Sequence, residues 1–498
     1  MSARQSSQTN PVPDVDPEEP EEVTEAVCLE SELQDGQMME VEVGHHNVLL
    51  ARCEGVYYAV GNQCTHYGAP LSRGYLGDHR VRCPWHGSCF DLKTGDLEEF
   101  PAMDCLPTHK VKVENSKVYV SINKKSLEQN KRLKPMGTRV PEVSHTVILL
   151  GGGCASLVCA ETLRQENYGG RIIMVTRDDL LPYDKTRLSK VTFDSTRAKG
   201  LECPGSDLEN ILMLETPEDA RRIHYACVNN RIVVVGTSFV GMEIASYMTE
   251  KAFSITVIGS SEIPYQRTFG PDIGKITMMI LEEKGVTFYM NDIVTEIRGE
   301  DKKVKEIVLK SGTVIPADIL IVGIGVIPNS ECLQGSNVKM DAKNYVPVDK
   351  YMRTNIKDVF CAGDLSTFPL KMAKDQKVNI GHWQLAQAHG RVAALNMLHK
   401  EVEFDSVPFY WTVLLGMTIR YTGFGEGYTD LVLKGKVEHS KFLALYIKED
   451  QVVAAAGLNF DPAVSVVAER LATGKVISKA EAESDDLTWL HLPDLNLS

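Results

Sequence analysis

The sequence predicts a multidomain fold: a small all-β domain, an α/β body built on two strand–glycine–helix–strand units, and a C-terminal α+β domain. Three observations predict it. At 498 residues the chain is too long for one ordinary core, since a domain takes roughly 100–200 residues. Residues 25–122 break into short β-branched and aromatic runs divided by turn residues. A strand–glycine–helix–strand phrase then begins at Thr146 and returns 85 residues later at Arg231.

Composition narrows the class. Hydrophobic residues are 43% and charged residues 24%, the balance of a soluble globular chain. A formal charge of −14 argues against a general nucleic-acid surface, which needs a basic footprint. Apolar runs such as Ile319–Val322 fall far short of the ~20 residues of a membrane span. Twelve cysteines are too sparse for a disulfide scaffold. No apolar signal segment follows Met1, so a reducing compartment is expected. Residues 1–22 carry Asp14, Asp16, Glu18, Glu19, Glu21 and Glu22 against Arg4 alone, unlike an Arg-rich mitochondrial presequence. They read as a disordered acidic tail. The expected location is cytoplasmic, with mitochondria as the alternative.

The elements follow in order. In 23–122, Met39–Val43, Val48–Arg52, Val56–Val60, Val81–Cys83 and Lys117–Ile122 read as strands, with turns at Gly68-Ala69-Pro70, Gly74 and Gly77-Asp78. Residues 123–144, rich in Lys and Arg with Pro135, Gly137 and Pro141, read as a linker that lets the first domain move. The first α/β phrase runs through strand Thr146–Leu150, a glycine cluster, helix Leu157–Arg164 and strand Arg171–Thr176. The second runs through Arg231–Val235, Gly236–Gly241, Met242–Lys251 and Ser254–Ile258. A further helix covers Ala386–Leu398. From Phe404 onward come mixed strands and a last helix, Ala463–Leu471, with no motif tied to chemistry.

The strongest chemical signal is Cys64-Thr65-His66 followed, with 16 residues between, by Cys83-Pro84-Trp85-His86. Two thiolates and two imidazoles suit zinc as well as iron, yet C-x-H is not the C-x(2–4)-C spacing of a zinc finger. The fuller strings, Cys64 to Leu71 and Cys83 to Phe90, resemble the Rieske domain family. That resemblance implies a [2Fe–2S] cluster, with Cys64 and Cys83 on one iron and His66 and His86 on the other. Ala69 and Trp85 stand where respiratory-complex Rieske proteins carry a disulfide, which points to the ferredoxin-like type. Ser88 reads either as a donor to a cluster sulfur or as a loop serine bonding its own backbone. Cys89 reads as a core thiol. The resemblance also implies that each histidine leaves one ring nitrogen near solvent, coupling electron transfer to pH.

In Gly151-Gly152-Gly153-Cys154-Ala155-Ser156, Gly151 permits the tight turn and Gly153 lets a pyrophosphate approach the helix start; Ser156 replaces the third glycine. In Gly236-Thr237-Ser238-Phe239-Val240-Gly241, Ser238 replaces the middle glycine. The following strand ends at Gly259 rather than at an acid. NADH against NADPH therefore stays open, with a lean to NADH because 259–262 holds no basic cluster. Cys154 and Cys159 have the spacing of a redox disulfide, but five residues along a helix project about 140° apart and do not bridge.

Two later strings, Ala317 to Asn329 and Thr354 to Asp364, together with Pro182 to Lys190, resemble the pyridine nucleotide-dependent ferredoxin reductase family. With the Rieske segment first, and Gly381-His382-Trp383 and Trp411 downstream, the order is similar to that of Rieske-bearing members of the apoptosis-inducing factor family over about residues 25–480. The resemblance implies a flavoprotein reductase with FAD and NAD(P)H. It places Asp364 on the flavin ribityl chain, Lys185 and Lys190 in the flavin-facing segment, and Glu243 near the nicotinamide; Lys190 and Glu243 are the expected catalytic residues. Lys185 and Thr186 depart from the family pattern.

The expected domains are 23–122 (Rieske), 145–225 (first FAD segment), 226–312 (NAD(P)), 313–398 (second FAD segment) and 399–498 (C-terminal reductase domain). Only 25 residues separate Lys190 from Thr216, where the family has several tens more. A chain shortened there is expected to expose a sheet edge, open the adenine half of the FAD site, or bind no flavin.

The expected function is electron transfer from NAD(P)H through FAD to the [2Fe–2S] cluster and on to an unknown acceptor, protein or small molecule, with a homodimer left open. The alternative is a flavin-deficient Rieske redox sensor or scaffold. A third reading is the reductase component of an oxygenase system.

Overall fold

The computed structural model describes residues 22–123, 129–177, 179–184 and 196–490. Period-two patterning builds the first domain. In β10 (Lys117–Asn123), Val118, Val120 and Ile122 are buried while the alternate residues face outward. Fully burying such a side chain is worth about 1.5–3 kcal/mol. Around it an antiparallel sheet runs in the order β1 (Glu22–Leu29), β10, β9 (Thr108–Glu114), β4 (Val56–Gly61), β3 (His46–Cys53), β2 (Met38–Val43). A smaller sheet of β5 (Tyr75–Gly77), β6 (Arg80–Arg82), β7 (Cys89–Asp91) and β8 (Leu97–Glu99) carries the second cysteine loop.

The linker reading is corrected. Arg132 and Cys105 exchange backbone hydrogen bonds, and Lys131 and Lys134 pair with Asp104 and Asp96 of the first domain. Farther along, the Gly137 and Val140 N–H groups donate to Arg164 and Gly169 of the next domain. The described portion of this stretch, from 129 on, is stitched to both sides rather than loose.

The first α/β unit is β11 (Thr146–Leu150), α1 (Cys154–Gln165) and β12 (Arg171–Val175). The helix begins three residues before the sequence pattern places it. Strand β11 pairs in parallel with β12, and the sheet ends there among the described residues. Leu149 is buried, but Ile148 and Leu150 are 66% and 65% exposed. These two side chains share one face of the sheet, and that face is uncovered among the described residues. Helix α5 (Trp383–Met397) lies across α1 so tightly that a Cβ on Gly390 would sit 2.2 Å from the Ala155 carbonyl oxygen.

The second unit is a parallel sheet in the order β14 (Ile211–Leu212), β21 (Ile319–Val322), β15 (Arg231–Val235), β16 (Ser254–Gly259), β17 (Thr287–Met290). Its helices are α2 (Pro217–Cys227), α3 (Phe239–Met248) and α4 (Gly270–Glu282). Strand β15 is buried on both faces, as a central parallel strand requires. The boundaries 226–312 and 313–398 need revision, because β14 precedes 226, α2 begins before it and β21 follows 312. Arg231 grips Asp318 bidentately at 2.9 and 2.7 Å, which pins the start of β21 beside β15.

The C-terminal domain is an antiparallel sheet in the order β26 (Phe409–Leu414), β27 (Met417–Gly423), β30 (Gln451–Leu458), β29 (Lys441–Lys448), β28 (Asp430–Lys436), with α6 (Ala463–Ala472) packed on β27 and β30. One apolar cluster runs unbroken from Leu49, Val60 and Phe90 of the first domain to Phe368, Leu385 and Ala388 beside α5. The two bodies share a core.

Candidate functional site

The two cysteine loops have one design. The Cys64 N–H donates to the Ala69 carbonyl, and the Gly68 N–H returns to the Cys64 carbonyl. The Cys83 N–H donates to the Ser88 carbonyl, and the Gly87 N–H returns to the Cys83 carbonyl. Gly68 and Gly87 both hold φ of +77°, the left-handed conformation that closes each turn. Both loops thereby aim a cysteine and a histidine at the same space.

Within that space the His66 and His86 Nδ1 atoms lie 3.1 Å apart, and the Cys64 thiol donates to Cys83. The bond to Cys83 and burial hold the Cys64 thiol well above its ordinary value. Burial pushes Cys83 up as well, but the Cys64 thiol, the His86 and Trp85 N–H groups and the Arg420 charge outweigh it and hold Cys83 below. Among the described residues no three metal-ligating side chains converge on a single ion position. The donors come as a sulfur pair and a nitrogen pair, which suits two irons better than one zinc.

Ser88 is fully buried; its Oγ accepts from the Ala102 N–H at 3.0 Å and hydrogen-bonds Cys64. Cys89 is buried in β7, where desolvation pushes its thiol up.

Solvent does not reach this face as expected. His86 is 7% exposed, and the Nε2 of His66 is shielded from water. The Trp411 ring centroid stands 4.1 Å from that of His86 and 5.5 Å from that of His382, while Tyr67 stacks on His66 at 3.8 Å. The Tyr67 hydroxyl donates to Asp184, in the segment that the sequence assigns to the flavin. Ser465 Oγ donates to the Cys83 carbonyl at 2.9 Å, and Arg420 Nε to the Trp85 carbonyl at 2.8 Å. Residues 404–490, which carry no chemical motif of their own, therefore supply the cover of the site.

Both dinucleotide turns are built. Gly151 holds φ of +111°, and Gly153 starts α1 with no side chain capping it, the kind of helix start that receives an anion. A Cβ on Gly381 would press on the buried Asp364 carboxylate at 3.0 Å. Asp364 follows Gly363, whose N–H donates to the buried His389 Nδ1. These residues fit the pyrophosphate and ribityl portions of FAD. Lys185 and Lys190 lie outside the described residues.

At the second turn, Gly236 has φ of +117°, and a Cβ there would meet the Gly323 carbonyl oxygen at 2.1 Å. One on Gly241 would fall 1.9 Å from the Gly236 carbonyl oxygen. Ser238 begins α3 without a side-chain cap. Such a turn takes a nucleotide's phosphates. Glu243 Oε1 accepts from Thr412 Oγ1 at 2.7 Å and the Val413 N–H at 3.3 Å, tying α3 to β26.

Trp411 stands out in the sequence only as an order marker. His389, Arg420, Ser465 and Glu469 do not stand out at all, because isolated polar residues in strands and helices carry no local signal.

Fold and site together define a Rieske-bearing pyridine nucleotide oxidoreductase. Three family models match: the Rieske [2Fe-2S] domain over residues 24–110, pyridine nucleotide-disulphide oxidoreductase over 195–390, and the reductase C-terminal domain over 409–490. The second match starts after the first glycine turn. The chain belongs to the family of apoptosis-inducing factor 3: the Homo sapiens protein of that name is 42% identical over 94% of this chain and 88% of its own length. Rubredoxin-NAD(+) reductase of Pseudomonas putida is 25% identical over 63% of this chain and 95% of its own. A solved ferredoxin reductase of Rhodopseudomonas palustris has the same fold at TM-score 0.66, with 21% identity, covering 70% of this chain and 98% of its own. The chain is thus an NAD(P)H-dependent flavoprotein oxidoreductase whose cofactors are [2Fe–2S], FAD and NAD(P)H. No helix among the described residues is long and apolar enough to cross a membrane.

Proposed function

We propose that the protein passes electrons from NAD(P)H, by way of FAD, to a Rieske centre held by Cys64, Cys83, His66 and His86, and on to an external one-electron acceptor. The observation that carries this reading is Trp411, wedged between His86 of the cluster loops and His382 at the head of α5. FAD, when bound, supplies the chemistry that joins a two-electron donor to a one-electron acceptor.

The chain's own residues hold and orient. Gly151 and Gly153 receive a pyrophosphate at α1, and Asp364 offers a buried carboxylate to the ribityl hydroxyls. Gly236, Ser238 and Gly241 receive the nicotinamide nucleotide. Burial opposes the Cys83 thiolate, but the Cys64 thiol and then the His86 and Trp85 N–H groups favour it, the form that ligates iron. Tyr67 and Trp411 cover the two histidines against water. The acceptor in this reading is a one-electron carrier, protein or small molecule, that takes electrons from the Rieske centre and not from the reductase face. The working compartment is the cytosol, supported by twelve free cysteines, with mitochondria as the alternative.

Absorbance of the purified protein before and after anaerobic NADH and NADPH tests the reading. Flavin bands that bleach, followed by reduced cluster bands, are expected. The uncovered β11 face favours a second reading, a Rieske protein that retains no flavin. Cluster bands without flavin, unmoved by either nucleotide, would establish that one instead.

A further inference from the structure

The first domain does more than touch the reductase body. Glu469 on α6, 4% exposed, receives Nε–H from Arg80 and from Arg82, each at 2.7 Å. Arg82 is 2% exposed and reaches three ways: to Glu469, to Glu99 at 3.0 and 3.1 Å, and to the Gly87 carbonyl of the second cluster loop at 2.9 Å. Burial raises the Glu469 carboxyl, but the two guanidinium groups outweigh burial and keep it charged. Removing one partner of such a buried pair strands the other charge.

Around this clamp the fit is close. A Cβ on Gly87 would lie 2.6 Å from the Phe409 ring. Ser465 and Arg420 hold the carbonyls of Cys83 and Trp85, and Arg391 of α5 donates to the Leu97 and Glu98 carbonyls. The cluster loops therefore lie flat on the reductase face that carries Trp411 and His382.

We infer that Glu469 locks the Rieske domain in place as a built-in electron carrier, so that a separate iron–sulfur protein is shut out of the reductase face beside Trp411 until the lock opens. The inference rests on the function proposed above and adds who competes for its electrons. Oxidation of NAD(P)H releases two electrons and one proton. Each electron reduces one ferric ion, either of the built-in centre or of the external protein, so the two draw on one supply. Glu469 is a positioning residue: it acts through Arg80 and Arg82 on where the cluster stands.

The test uses the full-length, cofactor-loaded protein as wild type, Glu469→Gln and the milder Arg80→Ala. Hydrogen–deuterium exchange reads the interface at residues 80–87 and 463–472, with 231–259 as an internal control. NADH-driven electron flow to an added [2Fe–2S] ferredoxin whose potential lies above that of NADH reads access. Slow interface exchange and slow ferredoxin reduction are expected for the wild type. In both variants exchange should rise at the two interface segments only, and ferredoxin reduction should rise severalfold as reduction of the built-in cluster falls. Fast interface exchange in the wild type, or faster variant exchange without faster ferredoxin reduction, overturns the inference. If the wild type shows no NADH-driven cluster reduction, the proposed function fails separately, and the exchange arm still decides whether Glu469 is a lock.

Discussion

The indole of Trp411 stands 4.1 Å from the His86 imidazole, ring centre to ring centre, although 325 residues separate them in the chain. The contact exists because Trp411 projects from β26 while His86 sits in a loop held down by Arg420 and Ser465. Trp411→Leu should slow NADH-driven cluster reduction by about 10- to 100-fold, the scale set by small misplacements of reacting partners. Reduction of ferricyanide by the flavin should be little changed. Stopped-flow absorbance with each acceptor separates the two; equal slowing of both would assign Trp411 to nucleotide or flavin binding.

Ser88→Ala removes the hydroxyl beside Cys64 and strands the Ala102 N–H. Loss of a hydrogen bond at the cluster sulfur should lower the midpoint potential, since it no longer favours the more negative, reduced state. The stranded donor should also cost about 1–3 kcal/mol of stability. Potentiometric titration followed by electron paramagnetic resonance reads the first effect, and thermal melting the second. An unchanged potential would leave Ser88 a purely structural residue.

His389 is enclosed by Gly363, Ser366, Phe368 and Phe404, and burial pushes its pKa down to about 3 from an ordinary 6.5. The folded state keeps it neutral while the unfolded chain protonates it. Its contribution is whole above pH 6.5 and is lost as pH falls toward 3, by about 1.4 kcal/mol per pH unit. Melting temperature should fall with that slope in the wild type, and His389→Gln should flatten it. Parallel pH profiles for the two proteins would assign the acid lability elsewhere.

Gly241→Ala places a methyl carbon 1.9 Å from the Gly236 carbonyl oxygen, a backbone atom that cannot swing away. Overpacking of this kind costs about 1–3 kcal/mol and should open the second turn. NADH binding, measured by calorimetry, should be lost while the cluster spectrum persists. Retained affinity would mean that the nucleotide binds elsewhere.

Ile148→Lys puts a charge on the uncovered face of β11. Light scattering should show less self-association, with a change in melting stability of no more than about 0.5 kcal/mol, because Ile148 is already two-thirds exposed. Unchanged association would show that another surface mediates it.

Much of the fold was legible because its signals are local. Gly151 marks a turn at positive φ, Gly236 and Gly241 mark one whose backbone admits no Cβ, and the Cys–His loops carry their own turn glycines. Even the shortened first FAD segment could be read as a missing length, and β11 then has its uncovered face. What misled was also local. Residues 123–144 have the composition of a loose linker, but ion pairs to Asp96 and Asp104 tie down the part from 129 on. The histidines belong to loops that look exposed, until β26 and α6 arrive from more than 300 residues away.

The sequence by itself determined which atoms are available for chemistry: two thiols, two imidazoles and two phosphate turns, each set by neighbours a few residues apart. Only the tertiary structure decided where those atoms face. Glu469, Arg420, Ser465 and Trp411 have no pattern of their own, and their meaning comes from strands and helices packed across long separations. Residue spacing encodes a turn or a ligand pair, whereas the burial of one domain's loops by another depends on contacts that no short window contains.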